Sequence, residues 1–466
     1  MRSWVFLLFA TLLIGCNTTP PDIILDGILE VPENRDDPDS RTLKLVYKVL
    51  KAKDTTSRKA PIAYLQGGPG AATLIMEGFW ENHPLRKDRD IVLMDQRGTG
   101  ASEANCTEIG DMLFAIMRQN LSVEDDFRAT DSLLAECKET MKQNGVDLAG
   151  YNSRENAADF EDLRKALGYK KWNLFGGSYG SRLGLTMMRD FPNGVRSAVL
   201  TAILPPEANF LNNSIQNFEN SLFSVLERCI KNEGCNKRYP DLKERLIKIL
   251  KKLESDPLHF EFEGKPFVLN THDAYLLLFV SLYDRYSISN IPLLIEAMEN
   301  GETEPLRNAL KGFEYIFNFI NWPMNYSVMV YEEFPFNDLA TMDQALNSSE
   351  IGFAYPPNSS TIKLLNNWHS FRATNIENQP VVSEIPILLT SGGLDHVTPI
   401  SNAKGAIKHL KNGYELLFLD DAHNSLYNPC FYQIAEDFLN DPLHKPDMEC
   451  SEVRKPIEWN LSNPLQ

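Results

Sequence analysis

Residues 176–180 read Gly-Gly-Ser-Tyr-Gly. A short apolar stretch, 172–175, precedes them, and a helix-like stretch, 181–189, follows. A serine between two such segments sits on a turn too tight for large side chains at its flanks. Gly176 and Gly180 let strand and helix approach, and the serine hydroxyl is held out at the top of a sheet. The run therefore predicts a strand, a sharp turn and a helix, with Ser178 at the carboxyl edge of a sheet.

The rest of the chain supplies that sheet. Short, strongly apolar runs occur at 62–65, 91–94, 172–175 and 198–200, and helical stretches such as 157–167 lie between the later ones. Strands alternating with helices predict an α/β fold with a mostly parallel sheet covered on both faces. Residues 43–50 alternate apolar and polar, as a half-buried strand does. The alternation stops at Pro205-Pro206. From there to about 380 the pattern is mainly helical, at 218–230 and 241–253 for example, with 260–269 as a short hairpin or loop. Strands return at 385–390 and 414–419. We expect one sheet domain in two parts, 41–204 and 381–466, interrupted by a helical cap over 205–380. A tether and entry segment, 16–40, leads into it.

The chain of 466 residues carries a net charge of −17, which excludes the basic surface that nucleic-acid binding needs. Residues 1–15 read as a secretory signal: Arg2 is followed by an apolar run, 4–14, too short to span a bilayer. The run Leu13-Ile14-Gly15-Cys16 resembles the bacterial lipobox. That resemblance implies cleavage before Cys16, a lipid on its sulfur, and an exported chain anchored to a membrane. Of the seven cysteines, six then remain, an even number that suggests disulfides outside the cytosol. Fifteen pairings are open. Local spacing favours Cys106 with Cys137, Cys229 with Cys235, and Cys430 with Cys450. None has C-x-x-C spacing, so no zinc site is expected.

A serine hydroxyl needs a base, and the base needs a carboxylate to orient it. On an open α/β sheet both belong in loops after late strands. Asp395 lies just after 385–390, in Ser391-Gly392-Gly393-Leu394-Asp395-His396-Val397-Thr398-Pro399. His423 lies just after 414–419, in Asp420-Asp421-Ala422-His423-Asn424. His396 is the rival base, but adjacent residues on an extended loop point apart. Asp420 and Asp421 are rival acids, too close in sequence to His423, and are expected to be solvated turn residues. Gln66-Gly67-Gly68-Pro69-Gly70 follows 62–65 and lacks the lysine and serine of a phosphate loop. Its glycines let backbone N–H groups approach a developing oxyanion. The expected donors are the amides of Gly68 and Tyr179. Asp95 and Arg97, in the run 95–102, are expected to fix the turn beside that loop.

Together these motifs resemble the prolyl aminopeptidase and tripeptidyl aminopeptidase family of α/β-hydrolases. The family's oxyanion loop is similar to His-Gly-Gly-Pro-Gly, with Gln66 here in place of histidine. Asp-Gln-Arg-Gly-x-Gly-x-Ser is matched at 95–102, Gly-Gly-Ser-Tyr-Gly at 176–180, and Gly-x-x-Asp-x-Val-Thr-Pro from Gly392 to Pro399. The resemblance implies an α/β-hydrolase fold with Ser178 as nucleophile, His423 as base and Asp395 as its orienting acid. It implies a serine aminopeptidase acting on peptides with a free N-terminus, without metal or organic cofactor. The family holds the substrate's α-ammonium with cap carboxylates. Glu332, in Tyr331-Glu332-Glu333-Phe334-Pro335-Phe336, stands at the matching acidic position, although Val330 replaces the usual cysteine. Glu207 is the second candidate. Two alternatives stay open: a carboxylesterase using the same triad, and a catalytically inert surface binding protein.

Overall fold

The computed structural model describes residues 23–423, 426 and 428–462. The expected signal segment, Cys16 and the first part of the tether lie outside the described residues.

An eight-stranded sheet forms the base of the molecule, in the order β1-β2-β4-β3-β5-β6-β9-β10. The strands are β1 Ile24–Pro32, β2 Thr42–Leu50, β3 Ile62–Leu65, β4 Ile91–Met94, β5 Trp172–Ser178 and β6 Val195–Ile203. After the antiparallel pair β7 Leu258–Phe262 and β8 Lys265–Leu269 come β9 Ile387–Gly392 and β10 Gly413–Phe418. β1 pairs antiparallel with β2, and β2 antiparallel with β4. From β4 to β10 every pairing in the large sheet is parallel. β3 and β4 are buried at every position, as parallel strands covered on both faces must be. β1 occupies much of the stretch expected as tether, and Leu43 and Leu45 of β2 alternate inward beneath it.

Two apolar layers cover the sheet. On one face Phe160 and Leu163 of helix Ser153–Ala166 and Leu183 and Met187 of helix Tyr179–Asp190 pack on Leu65, Leu174 and Leu200. On the other, Trp80, Phe431, Ile434 and Phe438 pack on Tyr64, Leu93, Phe175 and Leu388. The helices after β6 build a cap with a core of its own, including Phe218, Leu222, Leu246, Ile249, Tyr275 and Leu278. The 260–269 stretch is the β7–β8 hairpin.

One boundary differs from expectation. Helices Ile109–Met117 and Val123–Gln143 fall within the span read as core, 41–204, yet they pack into the cap. Ile109, Leu113, Leu134 and Met141 share a cluster with Tyr326, Val330, Phe334 and Trp368. The Asn318 side chain donates to Asp111 Oδ1 at 2.9 Å. The cap is therefore built from two excursions of the chain. Cys106–Cys137 pins the first of them, Cys229–Cys235 closes a turn inside the second, and Cys430–Cys450 joins helices Pro429–Asn440 and Glu449–Glu452.

Candidate active site

Ser178 ends β5, and helix Tyr179–Asp190 begins at the next residue. Its φ of 57° and ψ of −127° lie where side chains other than glycine are strained. The surroundings hold it there. A Cβ on Gly180 would come within 2.0 Å of the Leu65 carbonyl oxygen, and one on Gly176 within 2.7 Å of the Gly180 carbonyl oxygen. Strand and helix thus touch through glycine backbone, as the sequence predicts. Ser181 Oγ donates to the Ser178 carbonyl at 2.6 Å, and the Leu204 N–H donates to Ser181 Oγ at 2.9 Å, tying the turn to the end of β6.

The glycine loop after β3 lies against the serine. A Cβ on Gly67 would stand 3.3 Å from Ser178 Cβ and 3.9 Å from its Oγ. Gln66, which replaces the family's histidine, organises this loop. Its Oε1 accepts from the Gly67 N–H at 3.1 Å and from the Tyr64 hydroxyl at 3.0 Å, while its Nε2 donates to the Ala72 carbonyl at 3.2 Å. The Gly67 N–H is thereby occupied. The N–H groups of Gly68 and Tyr179 donate to no acceptor among the described residues. The neighbouring turn supports the loop from below. Asp95 Oδ1 accepts from the N–H groups of Thr73 and Leu74, and its Oδ2 from that of Ala101. Arg97 is fully buried and forms a two-pronged pair with Asp159 at 2.7 Å on each arm. The structure thus gives Asp95 and Arg97 the structural part expected of them.

Asp395 and His423 meet at the same sheet edge. Thr201 of β6 pairs with Thr390 of β9, and Gly392 of β9 with Phe418 of β10, so both loops leave from the carboxyl ends of strands on the β6 side of β5, the edge at which Ser178 ends β5. His423 Nδ1 lies 3.0 and 2.9 Å from the two Asp395 oxygens. A carboxylate can only accept, so Nδ1 carries the hydrogen, and in the neutral ring the lone pair is then on Nε2. Asp395 Oδ1 also accepts from the N–H groups of Val397 and Thr398, and Oδ2 from Thr398 Oγ1 at 2.5 Å. Burial alone would push the Asp395 carboxyl up. The neighbouring His423 and the Thr398 hydrogen bonds outweigh it and hold the group below the usual carboxylate range. Thr398 is a residue the sequence reading passed over, although it stands within the acid motif. Tyr283, from the cap, sets its ring edgewise on His423 at 5.1 Å between centroids.

The rivals are set aside by their surroundings. His396 packs edgewise between Phe279 and Tyr283, and burial pushes it down to about 3, leaving a neutral ring in an aromatic cage. Asp420 and Asp421 are not solvated turn residues as expected; both are more than nine-tenths buried. Asp420 is held by Arg228 at 2.5 Å and by Arg454 at 2.5 and 2.8 Å, and Asp421 accepts from Asn428 at 2.8 Å.

The two acidic cap candidates separate. A π-helical turn, Met329–Glu333, directs Glu332 and Glu333 inward onto Arg182 of helix Tyr179–Asp190. Glu332 Oε2 accepts from the Ser153 N–H at 3.0 Å, and Oε1 from the Ser153 hydroxyl at 2.5 Å. Glu333 takes Arg182 Nη1 at 2.7 Å and the Phe210 N–H at 2.6 Å. Burial pushes the Glu332 carboxyl up, against the opposing pull of Arg182 and Ser153. This corrects the expectation for Glu332: both its oxygens are engaged inside the fold, so it braces the cap rather than offering a free carboxylate. Glu207 behaves differently. Ile203, which pairs with Ser178, lies four residues before it, and its Oε2 is buried without a hydrogen-bond partner. No group of three or more metal-ligating side chains is gathered among the described residues.

Parts of this chain are similar to known proteins. The α/β hydrolase fold model matches residues 60–242, and the TAP-like protein model matches 360–450. Serine protease Hip1 of Mycobacterium tuberculosis is 26% identical over 238 residues, covering 47% of this chain and 45% of that protein. Tripeptidyl aminopeptidase of Streptomyces lividans is 29% identical over 197 residues, covering 40% and 36%. Proline iminopeptidase of Aeromonas sobria is 30% identical over 201 residues, covering 41% of each. The chain thus spans less than half the length of each of these three relatives. With a parallel sheet, a serine elbow on β5 and a TAP-like segment carrying Asp395 and His423, this chain is an α/β-hydrolase-fold protein with a TAP-like C-terminal side.

Proposed function

We propose that this chain is a serine peptidase that releases residues or short peptides from the free N-terminus of peptides. The observation that carries the reading is the Asp395–His423 pair on the sheet edge that also presents Ser178 in its strained turn. In this reading His423 Nε2 takes the Ser178 proton as Oγ attacks the carbonyl carbon. The oxyanion that forms is met by the free N–H groups of Gly68 and Tyr179. His423 then gives its proton to the leaving amine and next activates water against the acyl-enzyme. Glu207, with a buried oxygen lacking a partner, receives the substrate's α-ammonium; a buried carboxylate oxygen gains most from a charged donor. The names of the three relatives support peptides over other acyl substrates.

The test compares alanyl-, prolyl- and Ala-Ala-Pro-type chromogenic amides with p-nitrophenyl esters, each with and without an N-terminal blocking group. We expect turnover of unblocked amides, lost on blocking and lost in Ser178→Ala together with fluorophosphonate labelling. Ester turnover without amide turnover would establish a carboxylesterase instead. Absence of labelling in the wild type would leave only the binding-protein reading. We further infer an exported chain lipidated at Cys16, supported by the run Leu13-Ile14-Gly15-Cys16 and six other cysteines that the structure pairs. Cys16→Ala should move the protein from the membrane to the soluble fraction of its host, and unchanged fractionation counts against the anchor.

A further inference from the structure

The two excursions that build the cap enclose a cavity of about 250 Å³. Helix Val123–Gln143 brings Asp126 and Thr130 to it, helix Thr271–Ser281 brings Asp273, and helix Trp322–Val328 brings Trp322 and Tyr326. Phe127 and Phe317 complete aromatic walls. The volume lies below the usual range for drug-sized ligands, so it suits a small molecule rather than a peptide.

The polar groups in this cavity share one chemistry. The Asp126 carboxylate has no hydrogen bond or ion pair among the described residues, and burial pushes it up to about 6. Tyr326 is nine-tenths buried, and its hydroxyl likewise has no partner among the described residues. Asp273 is 5% exposed; its Oδ2 accepts the Asn270 N–H at 3.2 Å, leaving Oδ1 unengaged. His272 Nδ1 lies 3.1 Å from the Ala354 carbonyl oxygen, so Nδ1 carries the hydrogen and Nε2 is an acceptor. No lysine or arginine lines the space. Burial pushes the Asp273 carboxyl well above the usual carboxylate range, so the cavity holds surplus acceptors between aromatic faces with its negative charge on Asp126. The Asp126 carboxylate is half-buried without a cation beside it, and aromatic rings attract a cation placed over them.

We propose that this cavity binds a small organic ammonium ion, a primary amine whose N–H groups reach Asp126 and Asp273 and whose hydrocarbon body lies among Phe127, Phe317 and Trp322. A metal ion fits poorly, because no set of three ligating side chains is gathered there and the walls are apolar. The site is separate from the triad and does not depend on the peptidase reading, so the Ser178→Ala chain serves equally well in its test.

Calorimetric titration of the full chain with benzylamine, benzyl alcohol and benzoate tests the proposal. Benzylamine should bind saturably, one per chain, in both wild type and Ser178→Ala, while the alcohol and the acid should not. Asp126→Asn should weaken benzylamine at least tenfold, and Trp322→Leu several-fold. Tyr326→Phe provides a second, nearly isosteric probe should Asp126→Asn fail to fold, and should weaken binding several-fold. Any of four results overturns the proposal: no saturable benzylamine binding at millimolar concentration, equal binding of benzyl alcohol, unchanged affinity in whichever of the two polar variants folds, or loss of benzylamine binding after fluorophosphonate labelling of Ser178. The last would place the amine at the catalytic serine instead.

Discussion

Two buried charge clusters teach opposite lessons. Arg182 gathers Glu332 and Glu333, with Ser153, the Phe210 N–H and the Pro206 carbonyl closing the remaining positions. Asp395 gathers Thr398 and His423. Both clusters are deeply buried. In the first, each charged group is answered from within the fold, so the cluster can only brace. In the second, the hydrogen bonds end on His423 Nδ1 and leave Nε2 without one from Asp395 or Thr398, so the cluster points at something outside itself. Burial and charge alone do not mark a catalytic group; a reactive atom left over does.

This contrast can be broken by substitution. The largest effect belongs to Asp395→Asn, which removes the acceptor that fixes the His423 tautomer. Peptidase turnover should fall about 10,000-fold while labelled or unlabelled protein still melts cooperatively; a loss under tenfold would mean that Asp395 is not the orienting acid. Next comes Arg182→Met, which strands two buried carboxylates. Unfolding free energy should drop by about 3–5 kcal/mol, and adding Glu333→Gln should restore part of it. A fully stable Arg182→Met protein would sink the bracing role.

His396 is expected to act through pH. In the folded protein it stays neutral down to about 3, whereas in the unfolded chain it takes a proton near pH 6.5. Below pH 6.5 the unfolded state therefore binds more protons, and this share of stability is lost as the pH falls toward 3. In His396→Gln the fall in unfolding free energy between pH 7 and pH 5 should be smaller by about 2 kcal/mol. Equal falls in the two proteins would refute the neutral, caged histidine. The smallest effect is that of Thr398→Val, which removes one hydrogen bond from Asp395 but leaves its two backbone donors. We expect kcat to drop about tenfold, equivalent to about 1.4 kcal/mol, with KM unchanged; a change confined to KM would assign Thr398 to substrate instead.

The legible part of the molecule is the part written in local backbone demands. Gly176 and Gly180 are required by a contact of backbone on backbone, and Gln66 to Gly70 by a loop that must touch Ser178. Such demands restrict residue type at fixed spacing, so they show in a sequence. The cap is written in side-chain packing between remote segments, which restricts residue type only loosely. Helix Val123–Gln143 illustrates the difference. Phe127, Thr130, Leu134, Cys137 and Met141 recur at helical spacing, enough to reveal a helix. Nothing in that stripe says that its partners are Tyr326 and Trp368 rather than the sheet. Glu332 misled for a related reason: its motif fixes its place in the chain, but the π-helical turn and Arg182 decide which way it faces.

Two hydrogen bonds fasten the cap to the glycine loop. Asn325 Nδ2 donates to the Pro69 carbonyl at 3.0 Å, and the Asn321 N–H to the Gly70 carbonyl at 2.8 Å. Helix Trp322–Val328 is thus fastened to the same loop that presents the Gly68 amide beside Ser178. A cap that lifted at this end would break both bonds and slacken the loop in one motion. Admission of substrate by that route and stabilisation of the oxyanion would then exclude each other, so an open molecule would be a disarmed one.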